Sequence, residues 1–157
     1  MRSFIIAGLL AFLVIGGTAN GLVLKKSLGQ LTDESTLIVK GKVITKESYW
    51  NEAHNRIWTT LKIQVSEYIK GTGSSVITFR VPGGTVGDTT LYVSDAPQWK
   101  EGEEVLLFLN PGNYYPVVGW FQGKYRIEGN MAVNEIDPER TMPLDEMISQ
   151  IRRNLKE

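Results

Sequence analysis

The stretch from Leu37 to Trp50 sets Leu37, Val39, Gly41 and Val43 against Lys40, Lys42 and Lys46, a period of two that predicts a long strand with one buried and one wet face. Asn51 to Arg56 is polar and turn-like. Beyond it Ile57, Thr59, Leu61, Ile63 and Val65 alternate against Trp58, Thr60, Lys62, Gln64 and Ser66, predicting a second long strand paired with the first as a hairpin. Lys70-Gly71-Thr72-Gly73 ends it. Val76 to Val81 predicts a third strand, stopped at Pro82-Gly83-Gly84 because proline lacks a ladder donor and glycine tolerates dihedrals that break the ladder. Thr89 to Ser94 reads as a short fourth strand. Val105 to Leu109 is continuously apolar between Gly102 and Asn110-Pro111-Gly112, the mark of a central strand buried on both sides. Tyr114 to Val118, Gly123 to Ile127 and Met131 to Val133 read as short returning strands. No helical segment separates these runs, so the order predicts an antiparallel barrel or sandwich rather than a βαβ fold.

The ends follow a different period. Leu24, Leu28 and Leu31 sit at near-helical spacing, predicting a short N-terminal helix despite Gly29. At the other end Leu144, Met147, Ile148, Ile151 and Leu155 fall on one helical face, with Pro143 suited to the first turn and Asp145 and Glu146 complementing the positive end of the dipole. A helix over 143–156 is expected, covering an open mouth or edge of the sheet that would otherwise offer unpaired backbone groups. Before both, Met1-Arg2-Ser3 leads into an apolar run from Phe4 to Ile15 and then into Gly16-Gly17-Thr18-Ala19. That order of charge, apolar core and small residues predicts a signal peptide over 1–19, cleaved after Ala19, and a secreted or extracytoplasmic protein. The core is shorter than the roughly 20 residues that cross a bilayer, which disfavours the alternative of a retained anchor. The remaining 20–157 form one domain of ordinary size.

Composition narrows the partners. Seventeen basic residues balance seventeen acidic ones, so the chain has no electrostatic footprint for nucleic acid. There is no cysteine, which excludes disulfides, a lipoprotein anchor and any thiolate-held cofactor, leaving burial and hydrogen bonding to hold the fold. No cofactor or metal is expected. The partner expected is an extracellular or envelope protein, or a polysaccharide.

Three motif runs carry a family resemblance over roughly residues 34 to 135: Ser35 to Val43, Thr60 to Gly71 with its Lys-Gly ending, and Glu103 to Leu109. In this order they resemble the netrin-like module and the inhibitory domain of the tissue inhibitors of metalloproteinases, which implies a five-stranded OB-type barrel. The chain resembles still more an uncharacterised exported bacterial and archaeal domain family with Gly-x-Val, Val-Pro-Gly-Gly, Gly-Glu-Glu-Val-Leu-Leu-Phe-Leu and Gln-Gly-Lys-aromatic-Arg, here Gly41 to Val43, Val81 to Gly84, Gly102 to Leu109 and Gln122 to Arg126. That resemblance implies fold and export, not an activity. The inhibitors' zinc chelation requires an N-terminal cysteine, which this chain lacks, so their mechanism does not transfer. The fold expected is mainly β: a small antiparallel OB-like β-barrel with a short N-terminal helix and a C-terminal amphipathic helix.

Among candidate sites, the glycine-rich loop after Val81 leads to Asp88 and Thr89 rather than Lys-Ser/Thr and a helix, so it does not make a phosphate cradle. His54, the single histidine, reads as a solvated turn residue beside Asn51, Glu52 and Asn55. Glu101, Glu103 and Glu104, with Asp95 before them, lack calcium-loop spacing and read as solvated charge ahead of a buried strand. Aromatic residues carry more. Trp50, Trp58 and Tyr68 fall opposite the hairpin's apolar face, while Tyr92, Trp99, Tyr114, Tyr115, Trp120 and Phe121 lie in or beside loops, where flat rings make good contacts to protein or sugar. The expected ligand-binding surface is Pro82, Gly83, Gly84 and Gly87, with Tyr92, Pro97 and Trp99 nearby and Trp120 and Phe121 as anchors. The expected function is a non-enzymatic binding domain; the alternatives are an inhibitor of an exported protease acting through a barrel loop and a carbohydrate-binding module. No catalytic residue is expected.

Overall fold

A computed structural model describes residues 24–156, and the leader expected over 1–19 lies outside the described residues. Its elements run α1 (Leu28–Glu34), β1 (Leu37–Trp50), β2 (Ile57–Lys70), β3 (Val76–Pro82), β4 (Gly84–Val86), β5 (Thr89–Leu91), β6 (Glu104–Leu109), β7 (Lys124–Glu128), β8 (Met131–Val133), β9 (Met142–Pro143) and α2 (Leu144–Asn154). Seven strands form one sheet in the order β3-β2-β1-β6-β7-β8-β9, every pairing antiparallel, and β4 and β5 form a separate two-stranded ribbon. The molecule is therefore mainly β with two helices. No ladder joins β3 to β9 among the described residues, so the sheet keeps two edges.

The apolar run Val105 to Leu109 takes the middle of this sheet as β6, and all five residues are fully buried. They are buried because both faces are covered. On one face α1 and α2 pack Leu31, Met147, Ile148 and Ile151 against Ile38, Leu106, Phe108 and Tyr125. On the other, Val39, Val43, Leu61, Ile63, Phe79 and Val81 meet Val105, Leu107, Leu109, Trp99 and Val117. Consecutive residues of β6 thus feed opposite clusters, as the pleat requires.

Both helices form for local reasons as well. Ser27 caps α1: its hydroxyl accepts from the Gln30 amide at 3.1 Å while the Gln30 side chain accepts from the Ser27 amide at 2.8 Å, a reciprocal capping box. Asp145 and Glu146 lie in the first turn of α2, and Arg152 and Arg153 in its last, matching the dipole at both ends. Pro143 precedes the first turn and pairs with Met131 in β9.

Tyr114 to Val118 departs from expectation, forming a loop with a single bridge, Leu109 to Val117, instead of a strand. Pro116 removes a donor in the middle of the run, and the left-handed Gly119 and Trp120 (φ +66° and +63°) turn the chain immediately afterwards.

The feature that positions the site is a bulge in β1. Val43 pairs with Ile63, but Thr45 pairs with Lys62, so Ile44 has no partner. Before the bulge the odd-numbered Val39 and Val43 share a face with Leu61 and Ile63; after it the even-numbered Lys46 and Ser48 do, opposite Leu61 and Thr59. One extra residue re-aims every later side chain of the strand.

Candidate functional site

The face into which the bulge turns Lys46 and Ser48 is covered by the chain between β3 and β6. Val81-Pro82-Gly83-Gly84 leaves the sheet edge and folds back, so that the β4–β5 ribbon and the strap Tyr92 to Trp99 bound a cleft of about 370 Å³. Gly84 makes this close approach possible. Its φ is +132°, and a Cβ placed there would collide with the Thr59 and Ser48 hydroxyls. The Thr59 hydroxyl donates to the Gly83 carbonyl at 2.7 Å and lies 2.8 Å from Ser48 Oγ, tying the ribbon to the β1–β2 hairpin beneath it.

Six of the nine expected residues line this cleft: Pro82, Gly83, Gly84, Tyr92, Pro97 and Trp99. Tyr92 stands on its rim, 74% exposed. Trp99 is a wall rather than a protruding anchor, being 5% exposed, with its ring edge-on to Phe79 at 5.8 Å and the Lys124 ammonium 5.1 Å from its centroid. Its indole Nε1 is buried without a hydrogen-bond partner among the described residues. The Trp99 carbonyl accepts from Lys46 Nζ at 3.0 Å, and Glu101 accepts from the Lys46 amide at 2.9 Å, so the one cation in the lining is held to the strap.

The other three expected residues lie elsewhere. Gly87 is at the tip of the β4–β5 turn, φ +57°, in the first of two loop positions where glycine suits a tight hairpin. Trp120 is the end of an edge-to-face run from Trp58 through Tyr114 and Tyr115, with centroid separations of 4.9, 4.7 and 4.6 Å. It lines a narrow void of about 20 Å³ behind the cleft, shared with Val81, Pro82 and Trp99. Phe121 lies on the other side of Pro97, beside Asn134, whose side chain donates to the Phe121 carbonyl at 3.0 Å.

Two readings of single residues change, those of Trp58 and Glu103, while His54 is exposed in its turn as expected. Trp58 is buried despite its place opposite the apolar face, because Tyr114 lies against it and the Arg80 guanidinium covers its ring at 4.7 Å. Glu103 is not solvated charge: its side chain, 6% exposed, meets the 3%-exposed Lys124 ammonium at 3.2 Å, with Glu135 at 3.5 Å. His54 occupies the β1–β2 turn in a left-handed conformation, φ +50°, stacked on Trp50 at 6.1 Å. The Gln122 to Arg126 motif is structural too. Gln122 is buried and accepts from the Lys26 amide and the Arg140 guanidinium while donating to the Leu24 carbonyl. Tyr125 fills the helix-side cluster, and burial pushes its phenol above the ordinary value of 10.0 while Arg140 pulls the other way.

Sequence reasoning missed the hydroxyl lining, above all Ser48, Thr59, Thr85 and Thr90. Ser48 and Thr59 become visible as a pair only once the β1–β2 register is known. A scan of the sequence against protein-family models finds no match, and a search of curated proteins finds no significant one.

Proposed function

We propose that this chain is a non-enzymatic binding domain of the extracytoplasmic space that takes an uncharged ligand in the cleft between the β4–β5 ribbon and the strap. The observation that carries this reading is the lining itself. Hydroxyls, peptide groups, aliphatic side chains and the Tyr92 and Trp99 rings surround the space; among the described residues Lys46 is the single charged side chain in the lining, and no carboxylate or histidine lines it. General acid–base work needs such groups within hydrogen-bond reach of a substrate, whereas recognition needs a concave, mixed lining with a few fixed polar groups. Tyr92 at the rim with the threonine hydroxyls beneath suits a sugar ring, which makes a polysaccharide the first ligand class to test. The inhibitor reading draws on the same region, since every residue of β5 is exposed at the end of a projecting ribbon.

The fold supports the OB-type assignment within this proposal. The five longest strands lie consecutively as β3-β2-β1-β6-β7, with β1 shared between the hairpin and β6, and Trp99 and Val117 join the cluster between them. That arrangement fits a partly open five-stranded barrel.

The test is titration of tryptophan fluorescence with soluble polysaccharides, beside capture of envelope proteins, on the natural chain and on Tyr92→Ala. A ligand in the cleft shifts emission from Trp99, and Tyr92→Ala weakens it by about tenfold, the usual order for an aromatic contact residue. Binding that ignores Tyr92→Ala would refute the cleft. Inhibition of a metallo- or serine protease that Gly87→Pro abolishes would favour the inhibitor instead.

A further inference from the structure

The edge of β3 is one of the two open ends of the sheet, and only its last residues, Val81 and Pro82, also line the cleft. Residue pairs between β2 and β3 keep one register throughout, from Trp58 with Pro82 to Gln64 with Val76. Just outside the strand, the Val65 amide donates to the Ser75 carbonyl at 2.8 Å and the Gly83 amide to the Ile57 carbonyl at 2.9 Å. Those two bonds fix the parity of the ladder. Ile77, Phe79 and Val81 bond toward β2, while Val76, Thr78 and Arg80 direct N–H and C=O away from the sheet. None of these outward groups bonds to another group among the described residues. Pro82, with no N–H, closes the run.

An open edge of this length is usually blunted by a bulge, a lysine or a proline within it. β3 has no bulge, and its proline comes last. Its outer face carries two cations instead, one of them laid over the Trp58 ring. Arg80 is exposed there, and Lys62, exposed, pairs across from Thr78; neither forms an ion pair among the described residues. Glu47, opposite Thr60, and Glu52, which lines one hollow with Arg80 and Trp58, are acids near them. Self-pairing of two β3 edges would gather two copies of Arg80 and Lys62 on one face, which repulsion opposes.

We propose that the Val76–Arg80 edge accepts an extended acidic segment of a partner protein by strand addition. The partner's alternate residues carry carboxylates toward Arg80 and Lys62. The intervening ones are apolar and lie on the side of Ile77, Phe79 and Val81. Main-chain bonds supply the affinity and the alternating pattern the specificity.

The probe is a synthetic octapeptide alternating glutamate and valine, with a lysine–valine octapeptide for comparison. Amide hydrogen exchange followed by NMR should slow by about tenfold or more at Val76, Thr78 and Arg80 on saturation, and stay unchanged at Ile77, Phe79 and Val81, whose amides are already bonded. Arg80→Glu should weaken the acidic peptide by about tenfold and reverse the preference between the two peptides. Thr78→Pro removes one outward donor without touching the β2 ladder and should abolish the exchange effect, while Tyr92→Ala leaves it intact. Unchanged exchange at all three amides overturns the proposal. So does equal binding of both peptides, or a dimer of the chain that Thr78→Pro dissolves, which would make the occupant a second copy.

Discussion

The two faces of the sheet are covered by different material, and the difference explains where this protein has room for a ligand. On the helix side, α1 and α2 lay continuous apolar stripes on Ile38, Leu106 and Phe108, and burial there pushes the Tyr125 phenol above its ordinary value. On the ribbon side, the cover is a glycine-bent hairpin and an irregular strap. Strap and ribbon cannot interdigitate with strands as a helix does, so their polar groups must be satisfied one by one, through Thr59, Ser48 and Lys46. The same side holds the Glu103–Lys124 ion pair under Trp99, and it leaves the cleft. Helical cover gives tightness; irregular cover gives a lined space.

Removing the charge that supports the strap should have the largest effect. Lys124→Ala strands the buried Glu103 carboxylate and withdraws the ammonium from the Trp99 ring, costing about 4 kcal/mol in urea unfolding. Restoration of most of that loss by adding Glu103→Gln would show that the unpaired charge, not lost packing, is responsible. On the opposite face Ile151→Ala opens a cavity in a dry cluster and should cost about 3 kcal/mol while leaving any cleft ligand's affinity unchanged. A shift in ligand affinity there would mean the two faces are not separate.

Gly84→Ala comes next. It combines a left-handed φ with a collision against two hydroxyls and should cost about 2 kcal/mol and lift the ribbon from Ser48 and Thr59. Gly87→Ala, with open space at its tip, should cost about 1 kcal/mol from its backbone conformation alone. Equal losses would remove the case for a tethered ribbon. The smallest effect is one of pH. Because burial raises the Tyr125 value in the folded state, its contribution is whole below the ordinary 10.0 and is lost as pH rises through the raised folded value. Urea midpoints of Tyr125→Phe and the natural chain should therefore keep a constant gap at neutral pH and change it only in alkali.

How far the sequence reached can be judged strand by strand. The β1–β2 hairpin, β3 and the closing helix were legible because each spans enough residues for its period to show, two for the strands and nearly four for α2, and β6 because its unbroken apolar run sits between turn signals. Of the ribbon, β5 was legible within the strand expected over Thr89 to Ser94, whereas β4 was hidden in the glycine-rich run, and Tyr114 to Val118 misled because aromatic and β-branched residues favour strands wherever they lie. Six members of the cleft were within reach since they cluster along one excursion of chain. The hydroxyl floor was not, because an apolar bulge residue such as Ile44 is indistinguishable from a regular strand position until a partner is in register.

Local order of apolar and polar residues therefore determined which segments pair, which strand is central and which helix seals the sheet, since those follow from burying repeats of fixed period. Tertiary structure alone decided that Ser48 and Lys46 face inward, that Lys124 finds Glu103 across 21 residues of chain, and that Trp58 is covered. Each of these depends on a contact between segments distant in sequence. A one-residue change in register or one charged partner then outweighs any preference a residue has on its own.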